Sequence, residues 1–159
     1  MARNNHVWVK GDITGDIYFD ILELDGKEVQ YLRMYLMIKG VKGANGVKGL
    51  RVCVYGPLAE LVYGHVRKGS RIGVIGHIQQ RNLRNGKMVF EIVASEVDFL
   101  RNIEWQTGER VRQDLVQRGL LRPSHRDEDN GGGGVTDYAD LSEHLSAAVP
   151  EDLIEDEQT

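Results

Sequence analysis

Between Leu50 and Gln80 the apolar residues change their period twice, from two to nearly four and back again. Val52 and Val54 alternate with Arg51, Cys53 and Tyr55, the pattern of a strand buried on one face and open on the other. Gly56-Pro57 halts that strand. Proline has no N–H to leave unpaired in a first helical turn, and Leu58, Leu61, Val62 and Val66 follow at helical spacing. Arg67 and Lys68 fall in the last turn of this predicted helix, and Gly69 suits the left-handed conformation that ends one. From Ser70 a second alternation, Ile72, Val74, Gly76 and Ile78, predicts the next strand.

The flanks supply three more strands. His6 to Ile13 sets Val7 and Val9 against His6, Trp8 and Lys10, and Tyr18 to Leu24 continues it after a turn at Thr14-Gly15-Asp16. Asp25-Gly26 is a strong hairpin signal. Tyr31 to Ile38 then sets Leu32, Met34, Leu36 and Ile38 against Tyr31, Arg33, Tyr35 and Met37. Lys87 to Leu100 is rich in β-branched and apolar residues and closes the set at five. Five strands with a short helix between the third and fourth predict an all-β fold, the OB-fold barrel, over residues 1–102.

Composition then separates the chain into two electrostatic halves. The net charge of −4 is the sum of unlike parts: from Asp127 onward there are eleven acids and no Lys or Arg. That leaves 20 basic against 13 acidic residues in positions 1–126, a surplus of seven positive charges. A basic body with an acidic arm fits a polyanion-binding domain. A hydrophobic fraction of 41% over 159 residues suits one core, no stretch resembles a signal peptide, and no apolar run approaches a membrane span. These features predict a cytoplasmic protein with no membrane contact. One cysteine, Cys53, allows no internal disulfide, and five scattered histidines give it no zinc partners.

The candidate chemistry lies on the polar faces and in the loops. Arg51 and Tyr55 share a predicted outward face, placing a guanidinium for phosphate beside a ring for a base, and base–ring stacking is worth about 1–3 kcal/mol. Arg33 and Tyr35 hold the same parity on the strand before, and Trp8 and Lys10 on the first strand. The loop from Lys39 to Gly49 carries glycines at a three-residue interval with Lys39, Lys42 and Lys48; it predicts a cationic flap over a phosphate backbone, against the plainer reading of a flexible loop. It lacks the Gly-Lys-Ser/Thr of a nucleotide-binding P-loop and the flanking helices of a KH module. A second hairpin turns at Asn85-Gly86, with Arg81, Arg84 and Lys87 around it and no acid among them.

Beyond the barrel, residues 103–122 predict an extension. Thr107 suits a helix cap, Gly108 to Arg118 carries a thin stripe of Val111, Leu115 and Val116, and Gly119 ends it. Its packing partner, the barrel or a sister subunit, stays open at this point. Residues 123–159 form a Gly-rich linker, a weak helical segment from Asp137 to Ala147, and a disordered acidic C-terminal tail containing Leu153, Ile154, Glu155 and Asp156.

The segments NNHVWVKGDITGD, GPLAELVYGHVRKGSRIGVIGHIQQR and MVFEIVASEVDFL together resemble the bacterial single-stranded DNA-binding protein family, in order and spacing, from about Asn4 to Leu100. The most diagnostic part is G-x-L-A-E at Gly56 to Glu60 followed by R-K-G-S-R-I-x-V-x-G at Arg67 to Gly76. The resemblance implies a homotetramer built from dimers, a base-stacking aromatic at Tyr55, and a first strand around Trp8 that enters a subunit contact, against the other reading in which Trp8 and Lys10 bind DNA and Trp8 stacks on a base. It also implies an acidic tail that docks replication and repair proteins and competes with DNA for the basic body; here the tail ends in Gln158-Thr159, with its apolar pair Leu153-Ile154 internal. Three stacking tryptophans of that family are unmatched, their positions falling near Val41 to Lys42, at Gly49 and at Leu83.

No paired carboxylates, no Ser/His/Asp order and no metal-spaced ligands emerge, so the chain reads as no enzyme, with no cofactor, no catalytic residue and no metal site. The leading expectation is sequence-independent binding and protection of single-stranded DNA in replication, recombination and repair. The alternative is a primosomal-type adaptor that works through protein contacts.

Overall fold

The computed structural model describes residues 5–38, 49–83 and 85–122. Its strands are β1 (Val7–Leu24), β2 (Lys27–Met37), β3 (Leu50–Tyr55), β4 (Arg71–Asn82) and β5 (Met88–Arg101), with helix α1 (Pro57–His65) between β3 and β4 and helix α2 (Trp105–Gln117) after β5. They close into a barrel in the order β1-β2-β3-β5-β4, antiparallel except for β3 against β5. This is the OB-fold expected from the periodicity.

Alternation accounts for the interior. Ile13, Leu32, Met34, Leu36, Val52, Val54, Ile72, Val74, Ile92 and Ala94 all point inward and form one core, and α1 plugs one end with Ala59 and Val62. Gly76 sits where β4 crosses β5 at a register shift; a Cβ there would collide with the Val93 carbonyl, so only glycine admits the strand. The β1–β2 hairpin turns at Asp25 and Gly26, both with positive φ (51° and 77°), the conformation that matches the twist of paired strands.

Three local expectations need correction. The Thr14-Gly15-Asp16 segment is not a turn that divides two strands: β1 runs through it, with a register shift between Thr14 and Tyr18 that bends one long strand from β4 onto β2. Helix α1 stops at His65 instead of reaching Gly69. Val66 turns extended and buries its side chain, and the Ser70 hydroxyl takes the Arg67 N–H at 2.9 Å, so the backbone leaves the helix before Arg67 and Lys68.

Helix α2 begins at Trp105, before Thr107, because its start is fixed from outside. The Glu104 N–H donates to the His65 carbonyl at 2.8 Å, and the Glu104 carboxylate pairs with Arg67 at 2.7 Å. Its packing partner is α1. Val111 lies over Gly64, Gly108 over His65, and Arg118 reaches Glu60 at 2.6 Å, while Leu115 is fully buried. The His65 ring stacks on Phe99 at 4.2 Å and meets Trp105 edge-on at 5.7 Å.

Candidate nucleic-acid interface

The odd-numbered side chains of β2 and β3 and their neighbours on β4 and β5 form the barrel's outer wall. Pairing sets Tyr31 beside Tyr55, Arg33 beside Cys53 and Tyr35 beside Arg51; Cys53 continues to Val93, and Gln79 pairs with Glu91. Six of the residues expected at the interface, Arg33, Tyr35, Arg51, Tyr55, Arg81 and Lys87, belong to this wall or the turn beside it.

The wall is not open to water as the alternation predicts. Tyr55 is 2% exposed, Arg51 6%, Arg33 7% and Arg81 8%. The parity is correct, but a second apolar cluster of Leu22, Val29, Tyr31, Cys53, Tyr55 and Val93, flanked by Tyr18 and Leu24, packs on the outside of the sheet. The far half of β1 brings Leu22 and Leu24 onto it, a consequence of the continuous bent strand. Tyr55 is therefore sealed from water, and its ring packs on Tyr31 at a 46° tilt with centroids 5.3 Å apart.

Glu91 organises the polar part of the wall and is absent from the sequence-based candidates. It is 1% exposed, and its Oε2 accepts from Arg51 Nε at 2.8 Å and from the Cys53 thiol at 3.0 Å. Its Oε1 accepts from Gln79 Nε2 at 2.8 Å and Arg81 Nη2 at 3.0 Å. Arg81 Nη2 also donates to the Tyr55 hydroxyl at 3.3 Å. Burial alone would raise the Glu91 pKa; the Arg81 and Arg51 charges outweigh it and hold the carboxyl below its usual value. Burial also pushes the Cys53 thiol up to about 12, with the Glu91 charge acting in the same direction. The signal was present in the sequence as a lone acid in the apolar run Met88 to Ala94.

The accessible candidates lie around this sealed patch. Tyr35 is half-buried on β2, while the buried Arg33 sits 5.0 Å over the Tyr18 ring, whose hydroxyl donates to Asp20. Lys87 is exposed beside the Asn85-Gly86 turn, where the Asn85 side chain accepts the Lys87 N–H. Trp8 is 61% exposed on β1, with the Lys10 ammonium 5.4 Å from its ring. Lys39, Lys42, Lys48, Arg84 and the tail residues Leu153, Ile154, Glu155 and Asp156 lie outside the described residues. Among the described residues no three His, Cys, Asp or Glu side chains are placed to hold a metal ion, and no helix is long and apolar enough to cross a membrane.

A closed five-strand barrel with a helix between β3 and β4, and an outer wall built of tyrosines and arginines, defines an OB-fold of the nucleic-acid-binding class. The chain belongs to the single-strand binding protein family, whose model matches residues 4–100. Single-stranded DNA-binding protein 1 of Clostridium acetobutylicum is 34% identical over 67 residues, which cover 40% of this chain and 61% of that protein; the match spans about three fifths of the relative's length. Among solved structures, the SSB domain of a Synechococcus sp. protein matches with a TM-score of 0.49 at 12% identity, over 62% of this chain and 98% of that one. A deletion mutant of the single-stranded DNA-binding protein from Thermus aquaticus matches with a TM-score of 0.45 at 20% identity, over 60% of this chain and 40% of the other.

Proposed function

We propose that this protein binds single-stranded DNA without regard to sequence and protects it during replication, recombination and repair, as a cytoplasmic, nucleoid-associated binder and not as an enzyme. The observation that carries this reading is the family match over residues 4–100, which spans all five strands but the last residue of β5, and with them the tyrosine- and arginine-bearing wall. The strand runs along the rim of the sealed patch. Tyr35 supplies stacking, and Lys87, Lys39, Lys42, Lys48 and Arg84 supply charge. Arg33, Arg51, Tyr55 and Arg81 act from within the wall, shaping it instead of reaching a base.

Trp8 and Lys10 are assigned to contact between copies, in a homo-oligomer, by expectation a tetramer. Support comes from exposed Ile78, Met88 and Phe90 on one side of the β4–β5 arm, an apolar stripe of the kind interfaces cover. The acidic residues from Asp127 onward compete with the strand for the basic body, and Leu153, Ile154, Glu155 and Asp156 dock replication and repair proteins. A second reading, an adaptor acting mainly through protein contacts, is favoured by one observation: the ring at Tyr55 is sealed.

Titration with a long oligo-dT at several salt concentrations separates the two. The binder reading expects tight binding with a steep negative salt slope, tightened further by removal of residues 127–159. Absence of binding by both the full chain and the truncated one would overturn the binder reading and favour the adaptor.

A further inference from the structure

The hairpin between β4 and β5 turns between Leu83 and Lys87. The Leu83 N–H donates to the Lys87 carbonyl at 2.7 Å, the Gly86 N–H donates to the Leu83 carbonyl at 3.0 Å, and Gly86 has a φ of 83°. A loop of this length ends on a left-handed residue, so the fold demands glycine at that place. The same glycine brings no side chain to screen the amide of the residue before it. Asn85 is that residue. It is exposed, and its Oδ1 accepts the Lys87 N–H at 2.9 Å. That bond folds the side chain back over the Asn85–Gly86 peptide and draws electrons from Cγ, so an electrophilic carbon is brought to an unhindered nitrogen. The bond to the Leu83 carbonyl restrains the Gly86 N–H, and local opening of an exposed turn releases it at low cost.

We propose that Asn85 is a site of spontaneous deamidation, which places a carboxylate between Arg84 and Lys87 and weakens the hold of this turn on a DNA strand. The Gly86 nitrogen attacks Cγ; a new C–N bond forms, the Cγ–Nδ2 bond breaks, and the Gly86 N–H proton leaves with the amide nitrogen as ammonia. Water from solvent then opens the cyclic imide at either carbonyl. Attack at Cγ gives aspartate. Attack at the main-chain carbonyl gives isoaspartate, with the backbone rerouted through the side chain. Both products carry a negative charge that asparagine lacks, in a turn whose charged residues, Arg84 and Lys87, are both basic. The effect on binding rests on the strand-binding reading above; the chemistry does not.

Two measurements test the two halves. The full-length protein is incubated at mildly alkaline pH in water enriched in heavy oxygen, digested, and mapped by mass spectrometry. Asn85 is expected to convert to a mixture of aspartate and isoaspartate, each with one heavy oxygen from the ring-opening water, and Asn85→Gln to abolish conversion at that position. Asn45 and Asn130 are also followed by glycine and are mapped separately. An Asn85 that stays intact while either of them converts, or under conditions that convert none of the three, overturns the proposal. Oligo-dT titrations across salt then compare the wild-type protein with Asn85→Asp and Asn85→Gln. The aspartate keeps an acceptor for the Lys87 N–H, so the turn is preserved while its charge changes. For single strands each phosphate contact contributes about 0.7 to the slope of log affinity against log salt, so Asn85→Asp is expected to make the slope shallower by about 0.7 and Asn85→Gln to keep it. An unchanged slope in Asn85→Asp, or an equal loss in Asn85→Gln, overturns the electrostatic effect. Wild-type protein that fails to bind oligo-dT overturns the strand-binding reading, and the conversion mapped at Asn85 is unaffected by that failure.

Discussion

Adding a single methyl group at Gly64 tests whether the extension helix is seated as described. A Cβ at Gly64 would lie 2.6 Å from Val111 Cγ2, 2.9 Å from its Cβ and 3.3 Å from its Cγ1. Carbon atoms in contact prefer about 3.5–4.0 Å, so α2 would have to retreat from α1 by roughly 1 Å. Two effects oppose each other. Alanine in place of glycine favours the helix by up to about 1 kcal/mol, less so this close to the end of α1. Overpacking a well-filled contact costs about 1–3 kcal/mol. The overpacking term wins, and Gly64→Ala should lose about 1 kcal/mol net. The loss cannot exceed the free energy of docking α2, because the helix can lift away. Urea unfolding at fixed protein concentration measures it, and fluorescence of Trp105 in a Trp8→Phe background reports lift-off separately, since that ring packs on His65 and Phe99. In a Val111→Ala background the two nearest methyl groups are replaced by open space, although the Cβ at 2.9 Å remains. The cost of Gly64→Ala should fall by about 0.5–2 kcal/mol there. An equal cost in both backgrounds, or a gain in stability in the wild-type background, would falsify this seating of α2.

Two further outcomes follow from buried titratable groups. His65 is buried between the helices, and burial lowers its pKa below 6.5, with Arg112 acting the same way while the Leu61 carbonyl and Glu109 oppose. The unfolded chain therefore binds the proton more readily, so stability is fully present above about pH 6.5 and falls as pH drops toward the folded-state value. Thermal midpoints between pH 7 and pH 5 should decline, and His65→Gln should flatten that part of the profile; an unchanged decline would place the titrating group elsewhere. Cys53 is fully buried with its thiol pushed up to about 12, so a thiol reagent at pH 8 should label it only as fast as the protein unfolds. Labelling within seconds under native conditions would contradict the sealed wall.

Much of the barrel was legible because it depends on parity. A two-residue period identifies a strand and its inner face, and Val52, Val54, Ile72 and Val74 obey it. Parity does not say what covers the other face. Tyr55, Arg51 and Cys53 were expected in water on that ground, yet a bend in β1 lays Leu22 and Leu24 near them, and only the three-dimensional path of β1 reveals it. Gly15 and Asp16 looked like a turn because the same residues serve a bulge. The start of α2 was misplaced at Thr107 because the deciding bond, Glu104 to the His65 carbonyl, joins residues far apart in the chain. Glu91 escaped notice because a lone acid in a strand is usually solvated, and its partners come from two other strands, Arg51 and Cys53 on β3 and Gln79 and Arg81 on β4.

The parallel junction of β3 and β5 is paired at only two positions, Val52 with Ile92 and Cys53 with Val93. Those partners are far apart along the chain, as is the Arg51–Glu91 link outside them, separated by 40 positions. Contacts of such range form late, since the intervening segment must first be ordered. The ladders between β1 and β2 and between β4 and β5 are hairpins and need no such wait. The two hairpin sheets thus meet at two long-range seams, the six-pair ladder of β1 with β4 and this two-pair suture, and the Arg51 and Arg81 links to Glu91 brace the narrower one from outside.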